Sequence, residues 1–470
     1  MRRRGILGAV ALVLALASQA SAQESQFAAD LRREKERLAA ACSSFSVGAL
    51  GSCVYTLVTD SPFKLSLGSL APGNGFAFGL AFSERYTPNE SWRLTWNGDM
   101  VGTASGSWRG GGSMKMVHTP ATSGVIVAQP GTAPARIRPR EFTVIDVFAQ
   151  KISLETIDFY GTGASSREAD RAIYGEGQTT VGGMVTYPLG RFSVLEPLRP
   201  AVIGGITGRF VNVRPSASAD APSIEALYTD ATAPGLAQQK PFIQFTEALR
   251  LAPSLANGWL QLNYTLAAHQ FRSDEETRSS FNRWTIDLRH EIPLYRGVTS
   301  TGPRDFNGPN DCAQALGSTA CPPVQRSRNR GGSVSVRLLV SSSSASDGHR
   351  VPFYLQPTLG GSDLNGERLL ASFADYRFRA PHVIALQETL EHSIWGPIGA
   401  FVQAEHGKAV DARSDLDFGK LVSNASVGVT VRAGGFPMLT LSFSWGREGH
   451  HIIGSMNNSL LGGSSRPPLF

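Results

Sequence analysis

The side chains able to do chemistry gather in one stretch. It runs from Val351 through Leu359, Gly360, Gly361, Ser362 and Asp363, and resumes after a short insertion at Leu370-Ala-Ser-Phe373 and Arg377-Phe-Arg379. Three arginines, Arg368, Arg377 and Arg379, stand in a segment too polar and too rich in Gly for a core. Two acids follow the stretch, Glu391 and then Glu405 in Gln403-Ala-Glu405-His-Gly407. A buried arginine needs a carboxylate, because losing one member of a buried pair costs roughly 3–5 kcal/mol. Catalytic patterns are not found. There is no Gly-x-Ser-x-Gly elbow and no P-loop or dinucleotide fingerprint. The nine histidines are scattered, with His450-His451 reading as a surface pair beside a turn. No catalytic residue, metal ligand or cofactor is expected.

The elements that must hold this stretch begin with an export signal. Arg2, Arg3 and Arg4 precede an apolar run, Ile6 to Ala17, that is too short to span a bilayer, and Ala20-Ser-Ala22 reads as a cleavage site. Residues 1–22 are therefore expected to be removed. That lowers the formal charge from +6 to +3 and takes most of the support from a nucleic-acid partner. No later run of about 18 apolar residues follows. An exported chain without such a helix is either soluble or a closed barrel, since in lipid only a helix or an edge-free sheet satisfies every backbone group. The four cysteines form two close pairs, Cys42 with Cys53 and Cys312 with Cys321. In an oxidising compartment these read as disulfides, the alternative being unrelated reduced thiols.

Alternation of apolar and polar residues recurs from Phe63 onward. Examples are Leu260, Leu262, Tyr264 and Leu266 around Gln261, Asn263 and Thr265, and Leu439, Leu441, Phe443 and Trp445 around Thr440, Ser442 and Ser444. Three features favour a membrane barrel over a secreted sandwich. The strands approach the roughly 9–11 residues that cross a bilayer when tilted. Aromatics such as Trp92, Trp96, Trp284, Trp395 and Trp445 lie in or beside them, as interfacial girdles require. Short and long connections alternate. Counting back from the C-terminus predicts sixteen strands, near 450–461, 438–447, 421–432, 398–409, 382–394, 333–343, 281–293, 258–270, 241–251, 200–213, 176–187, 142–157, 107–117, 92–103, 75–86 and 63–71. The expected fold is thus all-β, a sixteen-stranded antiparallel transmembrane β-barrel over 61–470. A short periplasmic segment, 23–60, precedes it and carries a helix near 27–41.

This reading makes 158–175, 214–240, 344–381 and 410–420 outward loops. It leaves two insertions on the opposite side, 119–140 and 293–332. The second holds Cys312, Cys321 and a basic run, Arg326 to Arg330, which reads as a solvated loop with anionic lipid headgroups or a periplasmic partner as the sharper alternative. Ser464-Ser-Arg-Pro-Pro468 before the terminal Phe470, and a polar last strand near Ile452 to Leu461, predict a weak seam between last and first strands.

The stretch Leu359-Gly360-Gly361-Ser362-Asp363 with Phe373 and Arg377-Phe-Arg379 resembles the signature loop of the BamA/TamA-type bacterial surface antigens. Ile157-Asp-Phe-Tyr-Gly-Thr-Gly163 resembles a loop of their barrel-only forms, Phe76-Ala-Phe-Gly79 an early strand, and Trp395-Gly-Pro through Gly407-Lys408 the hairpin after the signature loop. The resemblance covers about 60–450. It implies a barrel without periplasmic POTRA repeats, in the outer membrane of a Gram-negative bacterium, acting in insertion or transport of protein or lipid. A passive porin-like channel or a surface scaffold is the alternative. The implied partners are outer-membrane lipids, including lipopolysaccharide, and client proteins. The resemblance also implies that the loop folds into the lumen, where an arginine meets the acid of a strand motif. Gln403, Glu405 and Gly407 occupy that motif with Gln for Phe and Glu for Asp, while Leu370-Ala-Ser-Phe373 stands where Leu-Arg-Gly-Phe is expected. Arg368, or failing that Arg377, is accordingly expected to reach Glu405.

Overall fold

The computed structural model describes residues 63–89, 91–119, 142–163, 165–189, 195–216, 218, 220–255, 259–273, 280–301, 326–346, 348–364, 367–395, 398–433 and 436–456. The leader, the 27–41 helix, all four cysteines and the terminal Phe470 lie outside them. The chain divides into a first unit ending at Leu65 and a second from Ser66 onward, and the second is the one described below.

In chain order the strands are β1 (Phe63–Ser69), β2 (Phe76–Asn89), β3 (Trp92–Thr103), β4 (Trp108–His118), β5 (Thr143–Phe159), β6 (Ala172–Pro188), β7 (Pro200–Pro215), β8 (Phe242–Leu251), the two-residue β9 (Ser254–Leu255), β10 (Leu260–Ser273), β11 (Phe281–Thr301) and β12 (Arg326–Ala345). The short pair β13 (Thr358–Leu359) and β14 (Phe378–Arg379) lies within the following loop. Then come β15 (His382–Trp395), β16 (Ile398–Val410), β17 (Val422–Ala433), β18 (Phe436–Gly446) and β19 (Gly449–Met456). Leaving aside the three two-residue pieces, sixteen strands are described, at the positions that alternation marked. Each from β2 to β19 pairs antiparallel with the next long strand.

Period-two alternation turns inside out here. On β18, Leu439, Leu441, Phe443 and Trp445 are exposed while Ser442 and Ser444 are buried. On β8, Ile243, Phe245 and Leu249 face out while Gln244 and Thr246 face in. Register carries each phase across the sheet. Phe443, Val427, Val402, Leu390, Val334 and Ile292 form one outward row. Asn424, Glu405, Gln387, Arg337 and Arg289 form an inward one. Phe78, Met100, Trp284 and Ile452 are each more than 60% exposed, on strands all round the sheet. Soluble monomers rarely show apolar patches beyond a few hundred Å², whereas a lipid-facing belt around a polar interior is the arrangement of a transmembrane β-barrel. No described helix is long and apolar enough to cross a membrane.

Strand alternation puts the connections 160–171, 216–241, 346–381 and 411–421 at one end, and they pack on one another. Tyr228 donates its hydroxyl to the Asp170 carbonyl (2.6 Å), and Phe353 N–H bonds the Pro234 carbonyl (2.8 Å). Phe159 meets Tyr228 and Phe353 edge-on, at 4.7 and 5.1 Å between ring centroids. The apolar core therefore lies inside the sheet at its looped end, with Ile157, Tyr174, Phe242, Phe271 and Leu355 among its members.

One expectation is corrected. The basic run Arg326 to Arg330 is extended strand, paired with Gly297 to Thr301. β11 and β12 run to 21 and 20 residues, well beyond the roughly 9–11 that cross a bilayer, and the sequence of these ends carries no alternation to mark them. For that reason their residue pattern reads as a loop.

Candidate functional site

Between β12 and β15, most of the described residues in 351–364 and 369–380 are buried inside the sheet. Of the described residues from Val351 to Leu364, only Pro357, Thr358, Ser362 and Asp363 are more than marginally accessible. Glycine makes its turn. Gly360 (φ 102°) and Gly361 (φ 57°) sit in the left-handed region, where L side chains are strained. A Cβ on Gly360 would stand 2.6 Å from Arg377 Cβ and 2.8 Å from the Ala374 carbonyl oxygen. Stripped of Cβ, the two residues let 359–364 and 367–377 close on each other. Gly360 N–H bonds the Leu369 carbonyl (2.9 Å), Tyr376 N–H bonds the Gly360 carbonyl (3.1 Å), and Asp375 Oδ1 accepts Ser362 N–H (2.7 Å). Asp363 Oδ1 takes Glu367 N–H (2.8 Å). Leu359 pairs with Phe378 in the small ladder, and Phe373 packs edge-on against Phe378 (5.1 Å).

Four anchors fix this loop to the wall. Glu405, 1% exposed on β16, accepts the Ala371 N–H (2.8 Å) and the amides of Gln387 (2.8 Å), Gln403 (3.3 Å) and Asn424 (3.0 Å). Glu367 is held by Arg337 of β12 (3.2 Å), which also forms a bidentate pair with Asp287, and lies 3.6 Å from Arg289 of β11. Arg377 forks onto Glu448 (2.9 and 3.0 Å) in the β18–β19 turn and donates to the Ser166 hydroxyl and carbonyl (3.0 and 3.1 Å) after β5. Arg379 donates to the Phe353 carbonyl (2.7 Å) and the Tyr174 hydroxyl (3.3 Å), and its own carbonyl receives Gly163 N–H (2.8 Å). Gly407 leaves room for Leu359, whose Cδ1 would lie 3.2 Å from a Cβ there.

The expected arginine–Glu405 pair is therefore corrected. Arg377 has Glu448 as its carboxylate. Arg368 forms no ion pair with Glu405 among the described residues; its carbonyl receives the Gln387 amide (3.4 Å). The reason is local. Leu370 (φ 59°) turns the chain so that a backbone N–H faces Glu405 where the arginine of the resembled motif would stand. Burial holds the Arg368 guanidinium below its ordinary pKa, with Asp375 and Glu405 pulling the other way. Burial likewise raises Asp375, opposed by the Ser362 N–H. Glu391 does not join Glu405; it accepts from Thr430 (3.4 Å) further along β15. His450 and His451 are exposed on β19.

Sequence reasoning missed Glu448, Tyr174, Gln387 and Asn424. The inward phase of β15 and β17 marks the last two. Nothing local marks Glu448, which meets Arg377 across 71 residues. Among the described residues no cluster of His, Cys, Asp and Glu could hold a metal.

No family model matches this sequence, and no curated protein does. Among solved structures the chain is similar to BamA from Haemophilus ducreyi lacking POTRA domains 1–3 (11% identity, TM-score 0.46, 84% of this chain and 69% of that one). It is also similar to CdiB from Escherichia coli (11% identity, TM-score 0.48, 82% and 58%) and to CdiB from Acinetobacter baumannii (11% identity, TM-score 0.45, 83% and 58%). The chain spans less than two thirds of the length of either CdiB.

Proposed function

We propose that this protein is an integral outer-membrane β-barrel whose lumen is filled by residues 346–381, and that it acts in the insertion or transport of protein or lipid at that membrane. The observation that carries the reading is the multiply anchored loop. Carboxylates on β16 and in the β18–β19 turn and arginines on β11 and β12 hold one segment across the interior. A pore built for passive diffusion gains nothing from an obstruction fixed by ion pairs, while a machine that works along its wall or seam gains a sealed lumen and a fixed frame. The motif resemblance of Leu359 to Asp363 supports the same assignment, and clients and lipopolysaccharide are its expected partners. Depleting the protein and comparing the outer-membrane proteome and lipid content tests it, and unchanged composition would count against an assembly or transport role. The passive channel remains the second reading, and steady open conductance of the intact chain in a planar bilayer would favour it.

A further inference from the structure

Beneath the loop, β7, β8, β10 and β11 bring two arginines and a histidine into the sheet interior with no acid among their partners. Arg209 and Arg283 are 2% and 5% exposed, and neither forms an ion pair among the described residues. Arg283 donates Nε to Ser343 Oγ (3.0 Å) and Nη2 to the Leu355 carbonyl, and lies over the Phe271 and Phe281 rings at 5.3 and 5.7 Å. Arg209 donates Nε to Gln244 Oε1, and its buried Nη1 has no partner. That bond fixes the Gln244 amide, whose Nε2 then donates to His269 Nδ1 (3.0 Å). With Nδ1 accepting, the neutral ring carries its proton on Nε2. Uncompensated buried charge is costly, and neutral acceptors and aromatic faces offset only part of it.

His269 and Arg283 line a cavity of about 180 Å³ between the sheet and the loop. This is several times the ~30 Å³ share of one water. Gln356 faces them from the loop. Its Nε2 bonds the Val351 carbonyl (2.9 Å), so its orientation is set, and its Oε1 is buried without a partner. Asp363 and Glu367 also line the cavity, but Asp363 caps Glu367 N–H and Glu367 is held by Arg337 and Arg289. Lining the cavity are thus the Arg283 guanidinium, which has no acid partner, and His269 on one side, and Gln356 with its unpartnered acceptor on the other. A bare oxyanion would satisfy the first and repel the second. A phosphate that keeps one P–OH satisfies both.

We propose that Arg283 and His269, backed by Arg209 through Gln244 and faced by Gln356, form a binding site for a phosphate group that keeps one P–OH, either inorganic phosphate or a singly ionised phosphomonoester lipid headgroup. Bound there, it ties β11 to the loop.

Calorimetry on the whole mature chain folded in phosphate-free detergent micelles tests this, with sodium phosphate as the probe and folding checked by heat-modifiable gel migration. Saturable binding of one phosphate is expected, with sulfate at least about tenfold weaker because it offers Gln356 no proton. R283Q should weaken phosphate by about 30-fold or more. H269A, which touches no loop backbone, serves as the second variant and should also weaken it. Absence of saturable phosphate binding by the folded wild type, or equal affinity in the variants, would overturn the proposal. Dioctanoyl phosphatidic acid then separates the sources. Displacement of phosphate assigns the lipid headgroup, and no displacement assigns the free anion.

Discussion

Two buried charges inside this sheet are accommodated in opposite ways. Glu405 is surrounded by four N–H donors, one from the loop backbone and three from wall amides, so its oxygens are saturated without a counter-ion. Arg283 has a hydroxyl, a carbonyl and two ring faces. The acid is complete within the protein, whereas the arginine borders a cavity with further unmatched groups. A carboxylate enclosed by neutral donors behaves as a dock, and a guanidinium left beside open volume behaves as half of a binding site.

Removing each charge should expose the difference. E405A leaves the Ala371 N–H and three amides without an acceptor, at roughly 1–3 kcal/mol for each donor that stays buried. Loosening of the loop by about 4 kcal/mol is expected, read as a rise of two to three orders of magnitude in tryptic cleavage at Arg368. R377A should cost less, about 2 kcal/mol, because the freed Glu448 is 22% exposed and can hydrate. It should release the β5–β6 connection as well, read as faster cleavage at Arg167.

The loop's own titration comes next in size. Burial raises Asp375 above its ordinary carboxylate value of 3.8. The docked state then binds more protons than the opened one, so docking is favoured below 3.8 and weakens as pH rises through the raised value. Cleavage at Arg368 should accelerate over that window in the wild type. In D375N, which keeps the acceptor for Ser362 N–H, it should stay flat.

R283M removes an unpaired buried cation and frees only a hydroxyl and a carbonyl, so stability should change by less than about 1 kcal/mol in either direction. A loss as large as that of E405A, measured by urea unfolding in micelles without phosphate, would make Arg283 a structural strut.

The fold was legible because a membrane sheet obeys a rule of period two from strand to strand. Phe443 and Ser444 declare their faces from sequence alone, and the strand positions follow. Legibility failed where that rule lapses, at Arg326 to Arg330, which pair as strand without alternating. Within the site, the loop and Glu405 could be picked out by composition and motif, but partnership could not. Whether Arg377 reaches Glu405 or Glu448 depends on the register of β16 to β19 and on the left-handed turn at Leu370, neither of which a linear pattern encodes. Arg283 was readable only as one inward residue among many, since its lack of an acid is a property of four strands together.

On the proposed function, the loop between β12 and β15 seals the interior. Single-channel recording in planar bilayers tests it directly, comparing the intact chain with one in which 359–379 are replaced by a short Gly-Ser linker. The intact chain should show no steady open conductance, and the replaced one a large steady pore. Equal conductance from the two would show that the loop does not close the lumen.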